Sequence, residues 1–142
     1  MYRSPLLIIF ICLYLLMPGC SSEKKDPNDE LKREVIEIHD EVMPLMGNLK
    51  SLKTKLEEKS NLISQSDSPD IEKINRLDQL ATDLDSAFSG MFVWMRQFNS
   101  DYEGMTKDEI NNYLLEQKAK VEKVNADIKG ALAAANSELE KK

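Results

Sequence analysis

Leu31–Leu56, LKREVIEIHDEVMPLMGNLKSLKTKL, is the stretch that decides the fold. Apolar side chains stand at Leu31, Val35, Ile38, Val42, Leu45, Leu49, Leu52 and Leu56, with spacings that alternate four and three. A helix turns once in 3.6 residues, so this spacing keeps one face apolar throughout, as in a helix packed lengthwise on other helices. The pattern returns twice further on. It runs through Ile74, Leu77, Ala81, Leu84, Phe88, Met91, Met95 and Phe98. It runs again through Ile110, Leu114, Val121, Val124, Ile128, Ala131 and Ala135, with Gln117 its one polar member.

Cap and turn residues bound each run. Asp26-Pro27 reads as an N-cap followed by proline at the first helical position, with Asp29 and Glu30 at the positive end of the helix dipole. Ser68-Pro69-Asp70 repeats that start, and Thr106-Lys107-Asp108-Glu109 has the form of a capping box. Polar turn material fills Ser64–Asp67 and Asn99–Gly104. No segment alternates as a strand would. The spacing predicts an all-α fold, an elongated antiparallel three-helix bundle with helices over about 27–63, 69–98 and 107–140. Each helix is then roughly 45–55 Å long.

What precedes the bundle reads differently. Arg3 is followed by an apolar run from Leu6 to Met17, too short for a membrane span, which needs about 20 residues. With Gly19-Cys20 after it, residues 1–19 have the form of a lipoprotein signal peptide in which the Cys20 thiol is acylated. Met17 and Pro18 depart from the usual Leu-Ala in front of Gly-Cys. Residues 20–26 are then the lipidated cysteine and a polar tether, leaving 27–142 as the bundle domain. Ser21–Lys25 extends at most about 17 Å, which holds the bundle near the bilayer. Serine in place of aspartate after the cysteine favours the outer membrane under the enterobacterial sorting rule.

Charge and cysteine usage close several function classes. Loss of Arg3 with the leader leaves 18 basic against 25 acidic residues, a net charge of −7. Nucleic acid is excluded as a partner, because phosphate binding needs a basic face. The same charge repels anionic lipid, so the acyl chains must do the anchoring. With Cys12 in the leader and Cys20 acylated, the domain keeps no thiol for a disulfide, a zinc site or a nucleophile. One histidine and scattered acids supply no triad and no zinc signature, and Asp40–Glu41 and Glu57–Glu58 read as solvated faces. No enzyme is expected.

Two runs stand apart from the leucine seam. Ile38–Gly47, IHDEVMPLMG, holds the only histidine, His39, with Met43, Met46 and a mid-helix proline, Pro44. Met91–Phe98, MFVWMRQF, holds Met91, Met95 and the only tryptophan, Trp94. Folding the first two helices about a turn near Asp67 sets Met43 level with Met91, His39 with Met95 and Pro44 with Gly90. A proline inside a helix costs about 3 kcal/mol, and beside Gly47 and Gly90 it points to a kink or a close approach. Thioethers and one imidazole select Cu(I) or Ag(I), and an indole face adds cation–π attraction. His39, Met43, Met46, Met91 and Met95, with Trp94, are therefore candidate ligands of a Cu(I) cofactor. The set resembles that of a small periplasmic copper and silver efflux metallochaperone, a β-barrel, in ligand chemistry alone. The alternative is that these methionines only fill the core against aromatic rings.

IHDEVMPLMG, the Trp94–Phe98 run WMRQF and Tyr113–Ile128, YLLEQKAKVEKVNADI, resemble small lipoproteins of Bacteroidetes that often carry the label "viral A-type inclusion protein". The resemblance covers most of the mature chain. It implies a helical, envelope-anchored protein and brings no activity with it. Some of those proteins carry histidine where this chain has Arg96.

Residues and resemblance together give a lipid-anchored envelope protein, a binding or structural module for an envelope partner. The anchor is tested by Cys20→Ser. The expected product is unlipidated and either uncut or soluble. A cut Cys20→Ser product that stays with membranes through a high-salt wash contradicts lipid anchoring.

Overall fold

The computed structural model describes residues 26–141. The leader, Cys20 and the tether up to Lys25 lie outside the described residues. Every element among the described residues is helical: α1 (Pro27–Val42), a 3₁₀ turn (Met43–Leu45), α2 (Met46–Ser64), α3 (Ile71–Gln97) and α4 (Lys107–Glu140). α1, the 3₁₀ turn and α2 form one interrupted arm, so the architecture is a three-helix bundle. The longest element, α4, has 34 residues and runs about 51 Å. Among the described residues no helix is long and apolar enough to cross a membrane.

The helices begin where side chains satisfy free backbone N–H groups. Asp26 accepts from Asn28 N at 3.0 Å with Pro27 next to it, and Thr106 and Glu109 bond reciprocally as a capping box. α3 starts two residues later than Pro69. Its cap is Asp70, whose carboxylate takes the Lys73 N–H at 3.0 Å, so Ser68-Pro69 belongs to the turn. The loop before α4 turns at Gly104, whose φ of 81° a side chain would resist.

The core is mainly leucine. Leu49, Leu56, Leu77, Leu80, Leu84 and Leu114 are almost wholly buried, joined by Val35, Val42, Val121, Ile128 and Met91. The strict four-and-three seam departs from the structure where the helices drift around it. Met46 is buried in place of Leu45, Ala87 and Trp94 in place of Phe88 and Met95, and Asn125 and Leu132 in place of Val124 and Ala131. A straight helix drifts about 20° per heptad, and each arm here faces two neighbours, so the buried stripe is wider than a two-helix seam.

The interrupted arm divides its packing. α2 runs along α3, α1 runs along α4, and α1 makes no comparably close backbone approach to α3. Polar pairs fix both registers. Lys53 reaches Asp85 at 2.8 Å and Ser60 donates to Asp78 at 2.7 Å between α2 and α3, pairs centred on residue 69 and not on Asp67. Between α1 and α4, Lys107 reaches Asp26 at 2.7 Å and Lys118 reaches Glu34 at 2.6 Å. The interruption at Pro44 is present, but the close approach is not: a Cβ added at Gly47 or Gly90 meets nothing within 4 Å.

Leu84 is wholly buried in the middle of α3, whereas Leu62 on α2 is exposed. Leu84→Ala is expected to cost about 2–5 kcal/mol and Leu62→Ala at most about 0.5, read by chemical denaturation. Equal effects contradict this placement of the core.

Candidate functional site

Pro44 has no N–H to return to the preceding turn, and Met43–Leu45 tightens into a 3₁₀ turn. The last turn of α1 is tied down from outside. Asn125, buried on α4, donates through Nδ2 to the Ile38 carbonyl at 3.0 Å and to Glu41 Oε2 at 2.8 Å. Lys129 reaches the other oxygen of Glu41 at 2.6 Å. Lys129, and after it Asn125, hold the Glu41 carboxyl below its ordinary value of 4.5.

This clamp sets the orientation of His39. Its Nδ1 lies 2.9 Å from Asp40 Oδ1, and an ionised carboxylate only accepts, which places the ring proton on Nδ1. In the neutral ring the opposite nitrogen, Nε2, then carries a bare lone pair. It is shielded from solvent, has no hydrogen-bond partner, and belongs to a side chain only 18% exposed. The ring faces Trp94 on α3, with centroids 5.6 Å apart and planes inclined by 35°.

Trp94 starts an aromatic row. Phe98 stacks on it at 5.1 Å, Tyr113 of α4 lies 6.3 Å beyond, and Tyr102 meets Tyr113 edge-on at 6.1 Å. Tyr113 Oη accepts the Asn99 N–H at 2.7 Å, which stitches the loop onto α4. Burial pushes the Tyr102 phenol above its usual range, with Tyr113 adding to the shift. Among the described residues, the buried side-chain polar atoms without a partner are His39 Nε2, Trp94 Nε1, Tyr102 Oη and Gln117 Oε1. Gln117 stands one turn beyond Tyr113, so all four belong to the bundle end that holds Asp26 and the Phe98–Thr106 loop.

The methionines spread over different environments. Met91 is wholly buried and Met46 nearly so. Met43 is half-buried and packs against the same core. Met95 is 38% exposed, and the ring opposite His39 belongs to its neighbour Trp94. Cys20 lies outside the described residues. Among the described residues no group of three or more His, Cys, Asp or Glu stands ready to hold a metal ion.

Sequence reasoning had treated Asp40 and Glu41 as solvated, and both are largely exposed. Their oxygens nonetheless orient His39 and receive the clamp. The available signal was Asn125, a polar residue beside a seam valine. Nothing in periodicity alone showed that it would replace Val124 inside.

The clamp gives a pH-dependent prediction. A carboxyl whose folded pKa is lowered contributes stability above its unfolded value, and that stability is lost as pH falls through the folded value. The stability gap between the native chain and Glu41→Gln should therefore be full at pH 7 and close as pH drops below 4.5. Asn125→Ala should cost about 1–3 kcal/mol. A Glu41→Gln gap that stays constant with pH contradicts the clamp.

No family model, curated protein or solved structure matches this chain.

Proposed function

We propose that this chain is a non-catalytic cell-envelope lipoprotein, anchored through acylated Cys20, whose bundle is a binding or structural module for an envelope partner. The observation that carries this reading is the distribution of exposed apolar side chains. Ile36, Phe92, Val93, Met95, Met105 and Leu115 are all exposed, and all lie toward the Asp26 end, where the tether joins. Leu62 and Ile71 sit near the opposite turn. Phe92, Val93 and Met95 are exposed within one turn of α3, and adjacent exposed apolar residues favour association, whereas scattered ones need no explanation.

The rest of the molecule fits a passive scaffold. Charged pairs cover the outer faces, and solvent screens them, so they set helix register more than they add stability. The leader and the likeness to Bacteroidetes lipoproteins support an envelope location, and the serine after Cys20 supports the outer membrane.

A photo-crosslinking amino acid placed at Phe92 in cells, compared with one at Leu62, tests the reading. A discrete adduct is expected from Phe92 alone, and Cys20→Ser should remove it. The same adducts from both positions, or an adduct indifferent to Cys20→Ser, contradict it.

A further inference from the structure

The paired rings of His39 and Trp94 do more than fill space between α1 and α3. Asp40 fixes the proton on His39 Nδ1, the arrangement in which a carboxylate orients a metal-binding histidine from behind. In the neutral ring that makes Nε2 a lone-pair donor, and this nitrogen is buried with no hydrogen-bond partner. A buried acceptor without a donor is costly, and a bound cation removes that cost.

The neighbouring donors are thioethers. Met43 follows His39 by four residues and so shares its face of the first arm. Met91 precedes Trp94 by three, and both are buried on one face of α3. The two arms run antiparallel, so both steps lead toward the Gln65–Asp70 turn. The two methionines therefore stand on the same side of the imidazole–indole pair. Met91 is wholly buried, and Met43 packs on the same core. The unbranched methionine side chain adapts readily to such a gap.

The donor chemistry selects the ion. Among the described residues no group of three His, Cys, Asp or Glu assembles, and Met43 and Met91, packed on the same core, offer thioether sulfur as the donor to pair with Nε2. Thioether sulfur with imidazole favours a soft monovalent ion over zinc, magnesium or calcium. The indole face 5.6 Å from the imidazole adds attraction for a positive charge. We propose that His39 Nε2 and the sulfurs of Met43 and Met91, beside the face of Trp94, form a site for one Cu(I) or Ag(I) ion. This site stands apart from the anchoring and docking reading, and either can fail without the other.

The test uses the full chain in detergent with Cys12→Ser and Cys20→Ser, which removes competing thiols. Trp94 is the only tryptophan, so its emission reports the site directly. Silver nitrate should quench it to saturation at one equivalent, and anaerobic Cu(I) competition against bicinchoninate should give the same stoichiometry. Asp40→Asn, an exposed change, should weaken binding about 10–100-fold. His39→Ala should weaken it at least as much, and Met43→Leu and Met91→Leu should each weaken it, with unfolding curves confirming the fold. Met105→Leu, in the loop, should change nothing. Absence of saturable quenching overturns the proposal, as does binding that survives both His39→Ala and Met43→Leu.

Discussion

A proline cannot donate a backbone hydrogen bond, and at Pro44 this one missing N–H divides the first arm of the bundle. Below the break α2 lies along α3 with a leucine interface. Above it α1 lies along α4 and leaves α3 to be reached by side chains alone. Only long or flat groups span such a gap, and His39, Trp94, Phe98 and the tyrosines of the loop and α4 occupy it. The chemically distinctive end of the molecule thus follows from a local backbone constraint.

The two ends have different energetics. The leucine core gains stability from apolar burial, about 25 cal/mol per Å² removed from water. At the Asp26 end aromatic rings join Val35 and Leu114 in the interior, and among the described residues this end contains the buried side-chain polar atoms that lack partners. Each such atom costs about 1–3 kcal/mol relative to a bonded one. Local opening should therefore be easier at this end than in the leucine core. Exposed Phe92, Val93 and Met95 occupy the same end of α3.

Much of this was legible in the sequence. The three helices, the Asp26-Pro27 start, the capping box at Thr106 and the interruption at Pro44 follow from local backbone chemistry, which acts whatever the tertiary context. Details that depend on neighbouring helices were not legible. Trp94 replaces Met95 opposite His39 because the buried stripe of α3 drifts away from a strict heptad. Asn125 goes inside because a partner carboxylate and a carbonyl wait for it on α1, which no pattern within α4 reveals. Gly47 and Gly90 looked like a close-packed crossing, yet open space surrounds both. Lipid attachment at Cys20 rests on sequence alone, since that residue lies outside the described structure.

The central claim is that the break at Pro44 presents His39 to Trp94 with a bare Nε2. Nitrogen-15 NMR of the histidine ring, with long-range proton correlations, reads this directly in the metal-free protein. The account predicts the Nδ1–H tautomer, with close contacts from the ring's carbon-bound protons to the Trp94 indole. A ring protonated on Nε2, or one without contacts to Trp94, would contradict it.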